Sequence, residues 1–98
     1  MEIISPDTLE SLWNNSRMPT KRTQGILLAA IVYQSPAGDP RYIGGISRIV
    51  KLVTARGQHI GTLHEVVMPD GSVPHSHPKD YTQRDCSRVR LAAEPPSR

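Results

Sequence analysis

The spacing of apolar residues changes twice along this chain, and each change predicts a different element. In "SPDTLESLW" Leu9, Leu12 and Trp13 recur at intervals of three and four, Ser5 is placed to cap, Pro6 suits the first helical position, and Asp7 complements the helix dipole. The spacing predicts a helix from about Pro6 to Asn14, with Ile4 able to staple onto Leu9. The helix should end in the polar linker "NNSRMPTKRTQ", where Pro19 opposes continuation. Its single apolar stripe has to dock on another element.

The period is then lost. "GILLAAIVY" is a continuous apolar run between Gly25 and "QSPAGDP", which fits a fully buried strand better than a short buried helix. "RYIGGISRIVKLVTARG" admits two readings. Ile46, Ile49, Val50 and Val53 match a helical stripe closed by Gly57, but they are also rich in β-branched types. A strand is preferred because "TARGQ" reads as a hairpin turn leading into a second β-rich run, "HIGTLHEVV".

"MPDGS" carries the strongest local signal. Pro69 and Asp70 suit the two central positions of a type I turn, and Gly71 suits the left-handed position after it. The returning segment "SVPHSH" is interrupted by Pro74, which lacks an amide donor and so places this strand at a sheet edge or limits its length. Beyond Pro78 no period is sustained. "DCSRVRLAA" could form one or two helical turns, and residues 93–98 are expected to be a disordered end. No internal repeat is present.

These elements predict an α+β fold: a short N-terminal helix packed on a small antiparallel β-sheet or partly open barrel of three to five strands, forming one domain over residues 1–92. Composition adjusts that picture. Phenylalanine is absent, so Trp13, Tyr33, Tyr42 and Tyr81 are the aromatic residues and the core must rest on Ile, Val and Leu. A thin core in a chain of 98 residues favours further burial against a second copy, and a homodimer is expected. Cys86 stands alone, which rules out an intramolecular disulfide or a cysteine-based zinc site within one chain and makes a reducing cytoplasm the expectation. The longest apolar stretch has eight residues, too few to span a bilayer, so no membrane partner is expected.

The net charge of +3 is spread over basic residues interleaved with acids. Only Arg84, Arg88 and Arg90 approach the one-faced basic patch that nucleic acid needs. Lys79, Tyr81 and Arg84 form the candidate binding set, with Tyr81 able to stack on a base. Cys86, flanked by Arg84 and Arg88, is a candidate reactive thiol.

Candidate chemistry gathers in "HEVVMPDGSVPHSHPKDY", which holds three of the four histidines. A three-residue loop of Pro69, Asp70 and Gly71 pairs Met68 with Ser72, Glu65 with His75 and Leu63 with His77. Glu65, His75 and His77 then share a face, and His64 points to the core. A two-residue loop of Asp70 and Gly71 slips the register, facing His64 with His77 and Val66 with His75, so that three histidines cluster. The proline favours the first.

That preferred face makes Glu65, His75 and His77 the catalytic candidates and, for any metal, the candidate ligands. An H-x-H pair on a strand is similar to the metal motif of cupins, whose signature continues with a glutamate. Here "HSHPKDYT" supplies Lys79, Asp80 and Tyr81 instead. Phosphate loops, dinucleotide fingerprints and nucleophile motifs are missing, and no cofactor is called for. The sequence therefore reads first as a binding module for a protein, a small ligand between helix and sheet, or an anionic surface. The alternatives are a small metal-independent ribonuclease-like enzyme or toxin using a Glu/His pair, and a His/His/Glu metal-binding protein. Against all of these stands the plain possibility that the face is the polar side of an edge hairpin.

Overall fold

The computed structural model describes residues 2–92, and the expectation for 93–98 lies outside them. Nine elements follow in chain order: β1 (Glu2–Ile3), α1 (Pro6–Asn15), α2 (Met18–Thr23), β2 (Leu28–Pro36), a 3-10 turn (Pro40–Tyr42), β3 (Ile46–Val53), β4 (His59–Val67), β5 (His75–Thr82) and β6 (Arg88–Arg90). The strands form one six-stranded sheet in the order β1-β6-β5-β4-β3-β2. Only the β1–β6 pair is parallel.

The fold is α+β, but the sheet is open and has six strands rather than three to five. The additional strands, β1 and β6, are two and three residues long, too short for a period of two to register in sequence. β6 also replaces the helical turns expected in "DCSRVRLAA". The chain turns first at Gln83–Ser87, where the Ser87 N–H donates to Asp85 Oδ1 at 3.0 Å.

Helix α1 starts as its sequence dictates, with the Thr8 N–H donating to Ser5 Oγ at 3.2 Å. Its stripe docks on the sheet, burying Leu9 and Trp13 against Val50, Leu52, Leu63, Tyr81 and Val89. The Trp13 ring lies over Gly61, where an added Cβ would collide with it. α2 stands in the expected linker. Pro19 stands in the first turn of this helix rather than preventing one, because a proline there forfeits an N–H that has no helical partner anyway.

The run "ILLAAIVY" does form a strand, yet not a buried one. β2 is the terminal strand of the sheet, and Leu28, Ile31, Val32 and Tyr33 are all about half exposed or more. Neither helix reaches far enough across the sheet to cover it, since α1 packs mainly on β5. A run of apolar residues reports what a strand can bury and not what the rest of the chain supplies to cover it.

The register fixes two faces. Ile31, Val50, Leu63 and Pro78 stand opposite one another across four strands on the helix-covered side, whereas Ile49, His64 and His77 form the neighbouring row on the other side. Part of that second side is roofed by the segment from Ala37 to Gly45, which returns to it through an Ala37 N–H···O Gly45 bond of 3.0 Å.

Candidate metal centre

The β4–β5 turn forms as its residues predict. The Met68 N–H donates to Ser72 O at 2.9 Å, the Gly71 N–H to Met68 O at 2.9 Å, and Gly71 is left-handed with φ +86°. The ladder beyond it does not follow the three-residue-loop register. Val66 pairs with His75, Glu65 with Ser76 and His64 with His77. Between Met68 and Val66 the chain takes two steps, while between Ser72 and His75 it takes three, so one extra residue enters at Val73–Pro74. Pro74 has no amide with which to hold the ladder there, and the strand resumes only at His75.

Because side chains alternate along a strand, this single extra residue exchanges the faces. Glu65, His75 and His77, expected together, are separated. His75 and His77 lie on the open side with His64, which the preferred register had sent to the core. Glu65 lies on the helix side, buried to 3% exposure, where Arg22 donates to both of its oxygens (3.0 and 3.2 Å) and Arg48 donates to Oε1 at 2.8 Å. Burial alone would raise the Glu65 carboxyl, but the hydrogen bonds and charges of the two guanidinium groups outweigh it and hold the group below its ordinary value. The Glu/His acid–base pair of the ribonuclease-like alternative is therefore not assembled.

What is assembled is a triad of imidazoles. Ring centroids lie 5.3 Å apart for His64 and His75, 5.2 Å for His64 and His77, and 5.0 Å for His75 and His77. One nitrogen from each ring can be chosen so that all three lie within 4.8 Å of one another. A tetrahedral zinc-class ion with metal–nitrogen bonds of about 2.0–2.1 Å asks for nitrogen separations of roughly 3.4 Å, so the nitrogens would draw together by up to about 1.4 Å around it. Ser47, on β3, anchors the set through a 2.6 Å hydrogen bond between its Oγ and His64 Nε2. Outer-shell partners of this kind fix the orientation of ligating imidazoles.

The triad borders a cleft of about 530 Å³ under the Ala37–Gly45 segment, lined by Tyr42, Asp39, His64 and His75 among others. The Tyr42 ring lies 6.1 Å from that of His75. Asp39 is held down to about 2 by hydrogen bonds from the side chain and backbone N–H of Arg41, so an ionised carboxylate, paired with the Arg41 guanidinium at 2.7 Å, stands at the rim of the cleft. β5 is an edge only over its first half, since Asp80–Thr82 pair with β6.

The remaining candidates are dispersed. Tyr81 is buried, with its hydroxyl donating to Ser16 Oγ at 2.8 Å and its ring edge-on to Trp13 at 6.3 Å, so its faces are not offered to a base on the surface. Arg84 and Cys86 are exposed in the turn before β6, beside Tyr81, while Lys79 sits at the irregularity in β5 opposite Thr62 and Leu63. The fourth histidine, His59, hydrogen-bonds the Thr62 hydroxyl at 2.9 Å, apart from the triad.

Comparison of the chain with protein-family models, with curated proteins and with solved structures finds no match.

Proposed function

We propose that this chain is a metal-binding protein in which His64, His75 and His77 hold one transition-metal ion. The observation that carries this reading is the placement of three imidazole nitrogens within 4.8 Å of one another on adjacent strands. An all-imidazole set suits Zn(II), Cu(II) or Ni(II) rather than Mg(II) or Ca(II), which require oxygen donors. Three protein ligands leave a tetrahedral ion with one position for water or a small ligand, as in zinc sites that act on substrates rather than merely brace a fold. The cleft beside His64 and His75 gives that position access, and ionised Asp39 and the Tyr42 ring border it. The binding-module reading of the sequence thus acquires a specific group to do the binding.

Untagged protein titrated with Zn(II) under isothermal calorimetry should bind one equivalent per chain. His64→Ala and His77→Ala should each weaken binding by about 10² or more, while Glu65→Gln leaves it unchanged. Zinc binding that is indifferent to His64 and His77 would sink the proposal.

A second reading concerns assembly and rests on a separate observation. From Leu28 to Pro36 the terminal strand β2 carries no charged residue, and its apolar side chains are about half exposed. Charge or proline within an edge normally discourages pairing with another copy, and here proline comes only at the end. We propose that β2 pairs antiparallel with β2 of a second copy, since an uncharged strand meets no repulsion from itself. Sedimentation equilibrium of the intact protein tests this; a monomer at the highest concentration reached would overturn it.

A further inference from the structure

A second cleft lies away from the histidine triad, on the side of the sheet that carries the helices. It has a volume of about 740 Å³, within the range of small-molecule sites. Its floor is apolar, built from Leu12, Met18, Leu27, Ile60 and Tyr81, and three cations line it from separate parts of the chain. Arg17 stands between α1 and α2, Lys21 on α2, and Arg84 in the turn after β5.

Two features make these cations more than an ordinary solvated rim. Among the described residues no carboxylate lines the cleft, and none of Arg17, Lys21 and Arg84 has an acidic partner. Four arginines elsewhere are matched, Arg22 and Arg48 to Glu65, Arg41 to Asp39 and Arg88 to Asp80, whereas Arg56 and Arg90, also without an acidic partner among the described residues, stand apart from the cleft. Asp85, next to Arg84, is turned away, its carboxylate taken by the backbone and side chain of Ser87. The fold thus brings three positive charges, unmatched among the described residues, to the wall of an apolar cavity. Arg17 holds its place in a left-handed conformation, φ 57°, which is unusual for a residue with a side chain.

We propose that this cleft binds a small amphiphilic anion, a molecule with an acyl chain or ring system that occupies the apolar floor and a carboxylate, sulfate or phosphate head that meets Arg17, Lys21 and Arg84. Head and body contribute differently. An apolar body gains from leaving water roughly in proportion to the area it buries, whereas the exposed cations add selectivity for a negative head and reject a positive one.

Decanoate, decan-1-ol and decyltrimethylammonium share a chain and differ in head charge, and inorganic phosphate is a head without a chain. Each is titrated into the intact protein while the Met18 and Ile60 methyl groups are followed by NMR. Decanoate should shift both saturably at one per chain, with the alcohol at least 10-fold weaker and the cation and inorganic phosphate without effect at the same concentrations. Arg17→Asn, which keeps a residue tolerant of positive φ, combined with Lys21→Gln and Arg84→Gln, should weaken decanoate by 10-fold or more; Arg84→Gln alone should give a smaller loss in the same direction. Circular dichroism confirms that the variants fold.

Equal binding of acid and alcohol overturns the proposal, as does decanoate affinity unchanged in the triple variant. Shifts confined to the Ile31 methyl groups, followed in the same spectra, would move the binding to the exposed strand β2 and overturn the proposal. Binding to anionic phosphatidylglycerol vesicles, with none to monomeric decanoate, would replace the small ligand with a membrane surface. No shift with any probe leaves the cleft without an amphiphile and ends the idea.

Discussion

His64 on β4 and His77 on β5 stand directly opposite one another, their rings 5.2 Å apart, and their neighbour Glu65 faces the other side of the sheet, opposite Ser76. The donor set on the open face is consequently made of nitrogen alone.

Ser47 should tune this set without belonging to it. Ser47→Ala removes the hydrogen bond to His64 Nε2 and should weaken Zn(II) binding by about 10- to 100-fold, with stoichiometry unchanged. Competition against a chromophoric chelator measures both.

Glu65 should matter to stability and not to the metal. Removing its carboxylate by Glu65→Ala strands two guanidinium groups, and because Arg22 and Arg48 are each partly exposed the loss should sit at the low end for such networks, about 3 kcal/mol. Urea unfolding of the variant against the parent gives the figure.

The same carboxyl sets a dependence on pH. Its value in the folded chain lies below the ordinary 4.5, so its stabilising contribution is complete above 4.5 and is lost as pH falls through the folded value. Unfolding midpoints should drop on acidification below that point. Glu65→Gln should flatten this part of the profile, and an unaltered slope in the variant would assign the acid sensitivity to other groups.

Gly61 is required for its lack of a side chain. Its Cβ would enter the space of the Trp13 ring, so Gly61→Ala should cost about 1–3 kcal/mol through displacement of α1 from the sheet. Trp13 fluorescence during denaturation reports both the loss and the displacement. A variant as stable as the parent would mean that the ring yields freely.

Along β2, Ile31→Lys and Tyr33→Lys place charge on residues that are 49% and 63% exposed and should cost little stability while abolishing self-association. Sedimentation velocity over a concentration series distinguishes the variants from the parent.

Local chemistry made much of this fold legible. Ser5 and Pro6 marked the start of α1, "TARGQ" and "MPDGS" marked two hairpin turns, and the β-branched character of Ile46–Val53 correctly outweighed its helical spacing. The misreadings share a cause, which is that they depended on what lies across space. Pro19 looked like a stop when only its position in a first turn made it harmless. The burial of β2 depended on whether a helix covered it. At the site, the turn and the register were read as one quantity, since turn type usually fixes both. Here the turn belongs to one of the two weighed registers and the ladder to the other. Pro74 was the available signal: a residue unable to donate is where a strand can absorb an extra member.

The extra residue between Ser72 and His75 has a consequence for variation. Loops accept insertions and deletions more readily than the strands they join, and gain of one residue there, with the interruption kept, would set Glu65 opposite His75 and turn His75 and His77 to the helix-covered face. The open face would keep His64 alone of the three imidazoles, and the triad would be dismantled with no ligand mutated. In a hairpin of this kind, a donor set can be inherited as the length of a loop.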